Sequence, residues 1–258
     1  MRTRNHVVVV SSLLALAAAA NADYVPGATL SSFSLSGNTQ YDGWIGLTAT
    51  NYPGYGSFPG GSPWPGPIGS NRTTANTFNL NEPGDAGIIK VANGAGGGPL
   101  LVNTLYFGGF SATPNTFGGT VAFTDSTPVT NLRNVVFQVQ IGEALGVDFF
   151  NHALPTLSYN GGTQNLPANI SIITNQYDNG TFDSPVGPQT IYINTYLLQW
   201  DLSAIPGITS FQVGFSGAQH AQVYGARLDQ SDVFTPVPAP APMLLMGMAG
   251  LSMVQRKR

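Results

Sequence analysis

The chain of 258 residues contains no cysteine, so it has no disulfide framework, no thiol nucleophile and no thiolate metal site. Charge is nearly as scarce. Only 8% of residues are Asp, Glu, Lys or Arg, against about 25% in an ordinary soluble domain. The surface must therefore be solvated by Ser, Thr, Asn and Gln, and long amphipathic helices laced by ion pairs are not expected. No repeat of about 20–50 residues recurs, which argues against solenoids and propellers. What is abundant is glycine (32), proline (19) and aromatic side chains (14 Phe, 10 Tyr, 3 Trp). With 42% hydrophobic residues the chain can bury a sizeable core, and packing and hydrogen bonds must supply its stability.

The two ends read as targeting segments. Residues 1–22 join a basic start (Arg2, Arg4), an apolar run from Val7 to Ala20 broken only by Ser11 and Ser12, and Ala20-Asn21-Ala22. This is the pattern of a secretory signal peptide: Ala20 and Ala22 supply the small side chains that signal peptidase needs, placing the mature start at Asp23. The run of 14 residues is short against the roughly 20 that span a bilayer. Thr3 separates Arg2 from Arg4, which points to general secretion and away from the twin-arginine route.

At the other end, Thr235-Pro236-Val237-Pro238-Ala239-Pro240-Ala241-Pro242 precedes an uncharged run from Met243 to Val254 and a terminal Arg256-Lys257-Arg258. Alternating prolines lack N–H donors and hold the chain extended, so Val237–Pro242 is expected to be an exposed strip open to a processing enzyme. The following 12 apolar residues would reach about 18 Å as a helix, against a hydrocarbon core of about 30 Å. They cross only if Ala241 and Gln255 are drawn in and the cations snorkel. The positive-inside rule keeps Arg256–Arg258 cytoplasmic and the body outside.

In this order of proline motif, hydrophobic helix and basic cluster, the last 24 residues resemble the PEP-CTERM sorting tail of proteins that Gram-negative bacteria export and hand to an exosortase. The matching positions are Val237-Pro238-Ala239-Pro240, Met243–Val254 with the small Gly247 and Gly250, and Arg256-Lys257-Arg258. Ala239 stands where the family usually has Glu, as in Pro-Ala-Pro variants of the tail. The resemblance implies signal peptidase and an exosortase-type enzyme as partners, transient membrane association, and delivery to the cell surface or an exopolysaccharide matrix. A plain single-pass C-terminal anchor is the alternative; a glycolipid anchor signal fits less well, because it lacks a basic terminus.

Between the ends, residues 23–234 read as one body, with 235–258 as the tail. Five of the nine cations lie in the targeting ends, leaving four against all twelve acids, a formal charge of −8. Such a body is not expected to bind nucleic acid by phosphate neutralisation. Short apolar or alternating runs separated by Gly, Pro, Asn and Asp predict an all-β fold: a two-layer antiparallel sandwich, jelly-roll-like, of about ten strands, with a short C-terminal hydrophobic helix. The clearest strands are predicted over 134–141, with Val135, Phe137, Val139 and Ile141 facing one way and Gln138 and Gln140 the other, and over 209–215, 118–125, 100–107 and 189–202. Weaker ones are 29–35, 44–49, 170–174 and 222–228.

Chemistry-bearing patterns are sparse. Tyr52, Tyr55, Phe58 and Trp64 punctuate a Gly/Pro-rich loop over 51–70; such rings either stack on sugar, making Tyr52, Tyr55 and Trp64 the ligand-binding candidates, or tuck over an end of the sandwich as a satellite core, the favoured expectation. Glu143 and Asp148 are the nearest approach to a glycosidase acid pair, but they face no visible partner, and Asp201, Asp229 and Asp232 read as turn or strand-end acids. His152 and His220 read as structural, because Ser158 and Ser216 lack a nucleophile elbow. Asp178-Asn179-Gly180-Thr181-Phe182-Asp183 has the oxygen content of a calcium loop without its third acid or closing Glu, so turn chemistry is the expected reading. No catalytic residue, metal or cofactor is assigned. The expected function is that of an exported, non-enzymatic surface or matrix protein, with a carbohydrate-binding body as the first alternative and a polysaccharide hydrolase or lyase, using Glu143, Asp148 or His152, as the second.

Overall fold

A computed structural model describes residues 29–55, 64–70, 85–93, 100–101, 104–109, 111–184 and 187–237. The signal-cleavage residues Ala20, Ala22 and Asp23, the motif residues Pro238, Ala239 and Pro240, the segment from Met243 to Val254 and the cations Arg256–Arg258 lie outside the described residues, as does Phe58. Among the described residues no helix is long and apolar enough to cross a membrane.

Twelve strands are described: β1 (Thr39–Ile45), β2 (Ile68–Gly69), β3 (Gly87–Asn93), β4 (Leu100–Leu101), β5 (Thr104–Tyr106), β6 (Phe117–Asp125), β7 (Asn134–Gly142), β8 (Thr156–Tyr159), β9 (Ile170–Ser184), β10 (Gly187–Asp201), β11 (Phe211–Ala218) and β12 (Gln222–Ser231). They form two antiparallel sheets packed face to face. The first runs β4-β5-β12-β7-β10-β9, with β1 also beside β12, and the second runs β2-β3-β6-β11-β8. From β5 onward the chain changes sheet at every step except the β9–β10 hairpin. The resulting orders β1-β12-β7-β10 and β6-β11-β8 are jelly-roll-like, as the sequence predicts.

The inward positions of the alternating strands meet between the sheets. Trp44, Phe123, Phe137, Phe149 and Phe215 form one connected ring cluster, with Phe123 4.8 Å from Phe137 and Trp44 edge-on to Phe123 at 5.0 Å. Each such ring pair contributes about 0.5–1.5 kcal/mol beyond its buried area. The buried indoles keep their hydrogen bonds: Trp44 Nε1 donates to the Ile68 carbonyl at 3.0 Å and Trp200 Nε1 to the Leu166 carbonyl at 2.9 Å.

Several boundaries differ from the sequence reading. The run 100–107 divides into β4 and β5, and the 44–49 strand begins earlier, as β1. β3, whose pairing slips between Lys90 and Ala92, and the four-residue β8 have too little alternation to be picked out. The Asp178–Asp183 run is no loop but lies toward the C-terminal end of β9. Two residues, Asn179 and Gly180, oppose the single Ile191 in a bulge. Gly180 takes φ +83° there, and its N–H donates to Asp178 Oδ1 at 2.9 Å, the Asx chemistry of a turn inserted into a strand.

The largest departure is on the outer face of the first sheet. Residues 29–35, expected as a strand, cross that face without pairing, held by side-chain amides. Ser31 N–H donates to Gln138 Oε1 at 2.9 Å, and Gln138 Nε2 returns a bond to the Ser31 carbonyl at 2.6 Å. Gln140 Nε2 donates to Thr29 Oγ1. The C-terminal end of the body is held likewise: Gln199 Nε2 donates to the Thr235 carbonyl at 2.7 Å and Val237 N–H to Gln199 Oε1 at 3.0 Å. Val136, Leu197 and Val237 are buried beneath, with Phe33 and Leu35 packed against them. Val237 is thus not part of an exposed strip; only 6% of it is accessible.

Candidate functional site

Among the described residues, no segment covers the outer face of the second sheet. Because Val121 and Phe123 on β6 and Phe211, Val213 and Phe215 on β11 point into the core, Thr120, Ala122, Gln212, Gly214 and Ser216 point out. They floor a trough of about 410 Å³, completed by Thr156, Ser158 and Asn165 and rimmed by Phe150, Leu154 and Val91. Leu154 is 40% and Val91 56% exposed, large apolar groups placed beside a polar floor. The floor hydroxyls of Thr120 and Ser216 bond each other at 2.7 Å. At Gly214 an added Cβ would meet nothing nearer than 3.7 Å, so the absent side chain leaves real space.

Val91 also lines a second cleft of about 340 Å³ that continues along Ile89, Lys90 and Pro67 to Trp64. Burial lowers the Lys90 pKa from its usual value. The two hollows lie on either side of Val91, one toward the 150–154 corner and the other toward Trp64. Of the three aromatic candidates only Trp64 lines either hollow. Tyr55 stands edge-on to Tyr52 at 6.0 Å and to Trp64 at 5.8 Å, its hydroxyl donates to the Pro67 carbonyl at 2.8 Å, and all three rings pack on the core. They form the satellite core that the loop composition favours. Trp64 Nε1, buried, has no hydrogen-bond partner among the described residues.

Glu143 and Asp148 do have a partner, contrary to the sequence reading. Asn194 Nδ2 bridges them, at 2.8 Å from Glu143 Oε1 and 3.2 Å from Asp148 Oδ2. Tyr196 OH donates to Asp148 Oδ2 and Phe149 N–H to Oδ1, both at 2.6 Å. Burial raises the Glu143 pKa, with Asn194 opposing the rise and Asp148 adding to it. The pair ties the β7–β8 connection to β10, and neither acid lines the trough or the cleft.

His152 is exposed at the end of a single 3-10 turn, Phe150–His152. Both ring nitrogens of His220 are engaged, Nδ1 with Tyr106 OH and Nε2 with the Ser111 carbonyl at 3.1 Å. Ser158 Oγ accepts from Asn165 N–H at 3.0 Å, and Ser216 pairs with Thr120, so neither serine is bonded to a histidine. Asp201 caps a turn through Ser203 N–H at 2.9 Å, Asp232 holds Asn38, and Asp229 is paired with Arg227 in a buried ion pair at 2.6 Å.

One grouping is invisible in the sequence. Asp42 on β1, Asp85 just before β3 and Asp125 at the end of β6 each place a carboxylate oxygen within 4.8 Å of the other two. They are about 40 residues apart, and only the sheet order brings them together.

No protein-family model, curated protein or solved structure matches this chain.

Proposed function

We propose that this protein is an exported, non-enzymatic component of the cell surface or extracellular matrix, secreted through residues 1–22 and sorted through its PEP-CTERM-like tail. The observation that carries the reading is the tail itself: Val237-Pro238-Ala239-Pro240, the Met243–Val254 segment and Arg256-Lys257-Arg258, in that order. Support comes from Val237, the first residue of the proline motif, which is buried and bonded to Gln199. Clamped by Gln199, it lets an exosortase-type enzyme act beyond Val237 without unfolding the sandwich.

Intact mass with terminal sequencing of protein recovered from producing cells and their medium tests this. The expected product starts at Asp23 and ends between Val237 and Pro242. A form that keeps Met243–Arg258 in the membrane fraction would make the tail a plain anchor instead.

A second reading, binding of exopolysaccharide by the body, is favoured by the two hollows that share Val91, one reaching Leu154 and the other Trp64, whose polar floor and apolar rim suit the hydroxyls and C–H faces of a sugar chain. It moves the candidate site from the rings of Tyr52 and Tyr55 to the sheet face, keeping Trp64 at one end.

A further inference from the structure

We propose that Asp42, Asp85 and Asp125 form a calcium site that locks β1 to the end of the second sheet where β3 begins and β6 stops. Three carboxylates converge, and two of them, Asp42 and Asp125, are each 1% exposed. Asp125 and Asp85 are oriented by donors: Thr127 N–H at 2.7 Å and Gln230 Nε2 on Asp125, Thr127 Oγ1 at 2.8 Å and Gln40 Nε2 at 2.5 Å on Asp85. A carboxylate has about four lone-pair sites, so each retains capacity for a cation.

Asp42 is different, and it decides the matter. Both of its oxygens are buried and neither has a hydrogen-bond partner among the described residues. The Ser70 hydroxyl beside it is committed to the Gly43 carbonyl at 3.2 Å and accepts from Gly43 N–H at 3.0 Å. A buried carboxylate with no donor in hydrogen-bond geometry, facing two more carboxylates, is among the costliest arrangements a fold can hold unless a proton or a cation offsets it. Burial first, then Asp85 and Asp125, raise the Asp42 pKa, with Ser70 and the Ala86 N–H opposing the rise.

The donor set selects the ion. All three side chains offer hard oxygen, with no nitrogen or sulfur ligand, which disfavours zinc and copper. Magnesium demands a tight octahedron and retains its water, whereas calcium accepts six to eight oxygens in irregular geometry, with water or carbonyls completing the shell.

The test is thermal unfolding and calorimetric titration of the full chain, stripped with EDTA, in 10 mM CaCl2 or 10 mM MgCl2 at pH 7.5. For an affinity of roughly 0.1 mM, common in extracellular modules, calcium should raise Tm by about 5–10 °C. Asp42→Asn and the exposed-site Asp85→Asn should each weaken calcium binding at least tenfold. Asp42→Asn should also fold in EDTA at least as stably as the parent, because it removes the buried charge while keeping the shape. A Tm indifferent to calcium, a calcium response that survives both substitutions, or an equal response to magnesium would each overturn the proposal.

Discussion

On β7 and β10, Gln138, Gln140 and Gln199 point away from the core and are almost wholly buried; on β6 and β11, Thr120, Gln212 and Ser216 also point away from the core and floor an open trough. The two faces look alike in a polar/apolar pattern. What separates them is the kind of polar group. A glutamine amide carries a donor and an acceptor on a reach long enough to imitate a peptide unit, so it can close the backbone of a segment crossing the face, as Gln138 does for Ser31 and Gln199 for Thr235 and Val237. Hydroxyls on the opposite face bond one another, Thr120 to Ser216, and no described segment covers them.

The contrast breaks most severely at Gln199. Replacing it by alanine leaves Val237 N–H and the Thr235 carbonyl without partners and removes a bond to Asn134 Oδ1. A loss of about 2–4 kcal/mol is expected, read by urea unfolding. Gln138→Ala frees only the two groups of Ser31 and should cost about 1–3 kcal/mol in the same assay. On the second face, Trp64→Ala strips a half-buried ring from the satellite core at a cost of about 1–2 kcal/mol, and it should also weaken exopolysaccharide pull-down if the hollows bind sugar. Gly214→Trp should have the smallest effect on stability, under about 1 kcal/mol, because the site is open, yet it should block the trough and reduce pull-down more than Trp64→Ala does. Unchanged pull-down in both variants would remove the carbohydrate reading.

Much of the sandwich is legible in the sequence because period-two alternation has a direct physical cause. Val135, Phe137, Val139 and Ile141, or Phe211, Val213 and Phe215, must share one face of a pleated strand whatever the topology. The same rule puts Gln138 and Gln140 on the other face, where they are, but it names the face and not what covers it. Residues 29–35 look like a strand through Leu30, Phe33 and Leu35, but they lie across a sheet and not along its edge, so no ladder forms. The candidate sites divide similarly. The aromatic loop is visible because its members are adjacent in sequence, and its satellite packing follows from their size. The Glu143–Asn194–Asp148 knot and the Asp42–Asp85–Asp125 cluster depend on which strands neighbour one another, and local spacing holds no trace of that.

The sealing of the first face rests most directly on the backbone amides of Ser31 and Val237, whose acceptors are glutamine side chains. Residue-resolved hydrogen exchange on the folded protein measures them. Protection of at least about 100-fold over free chain at both positions, lost at Val237 in Gln199→Ala and at Ser31 in Gln138→Ala, is the predicted result. Exchange of both amides at free-chain rates in the parent protein would contradict it, showing that residues 29–35 and 235–237 do not seal that face.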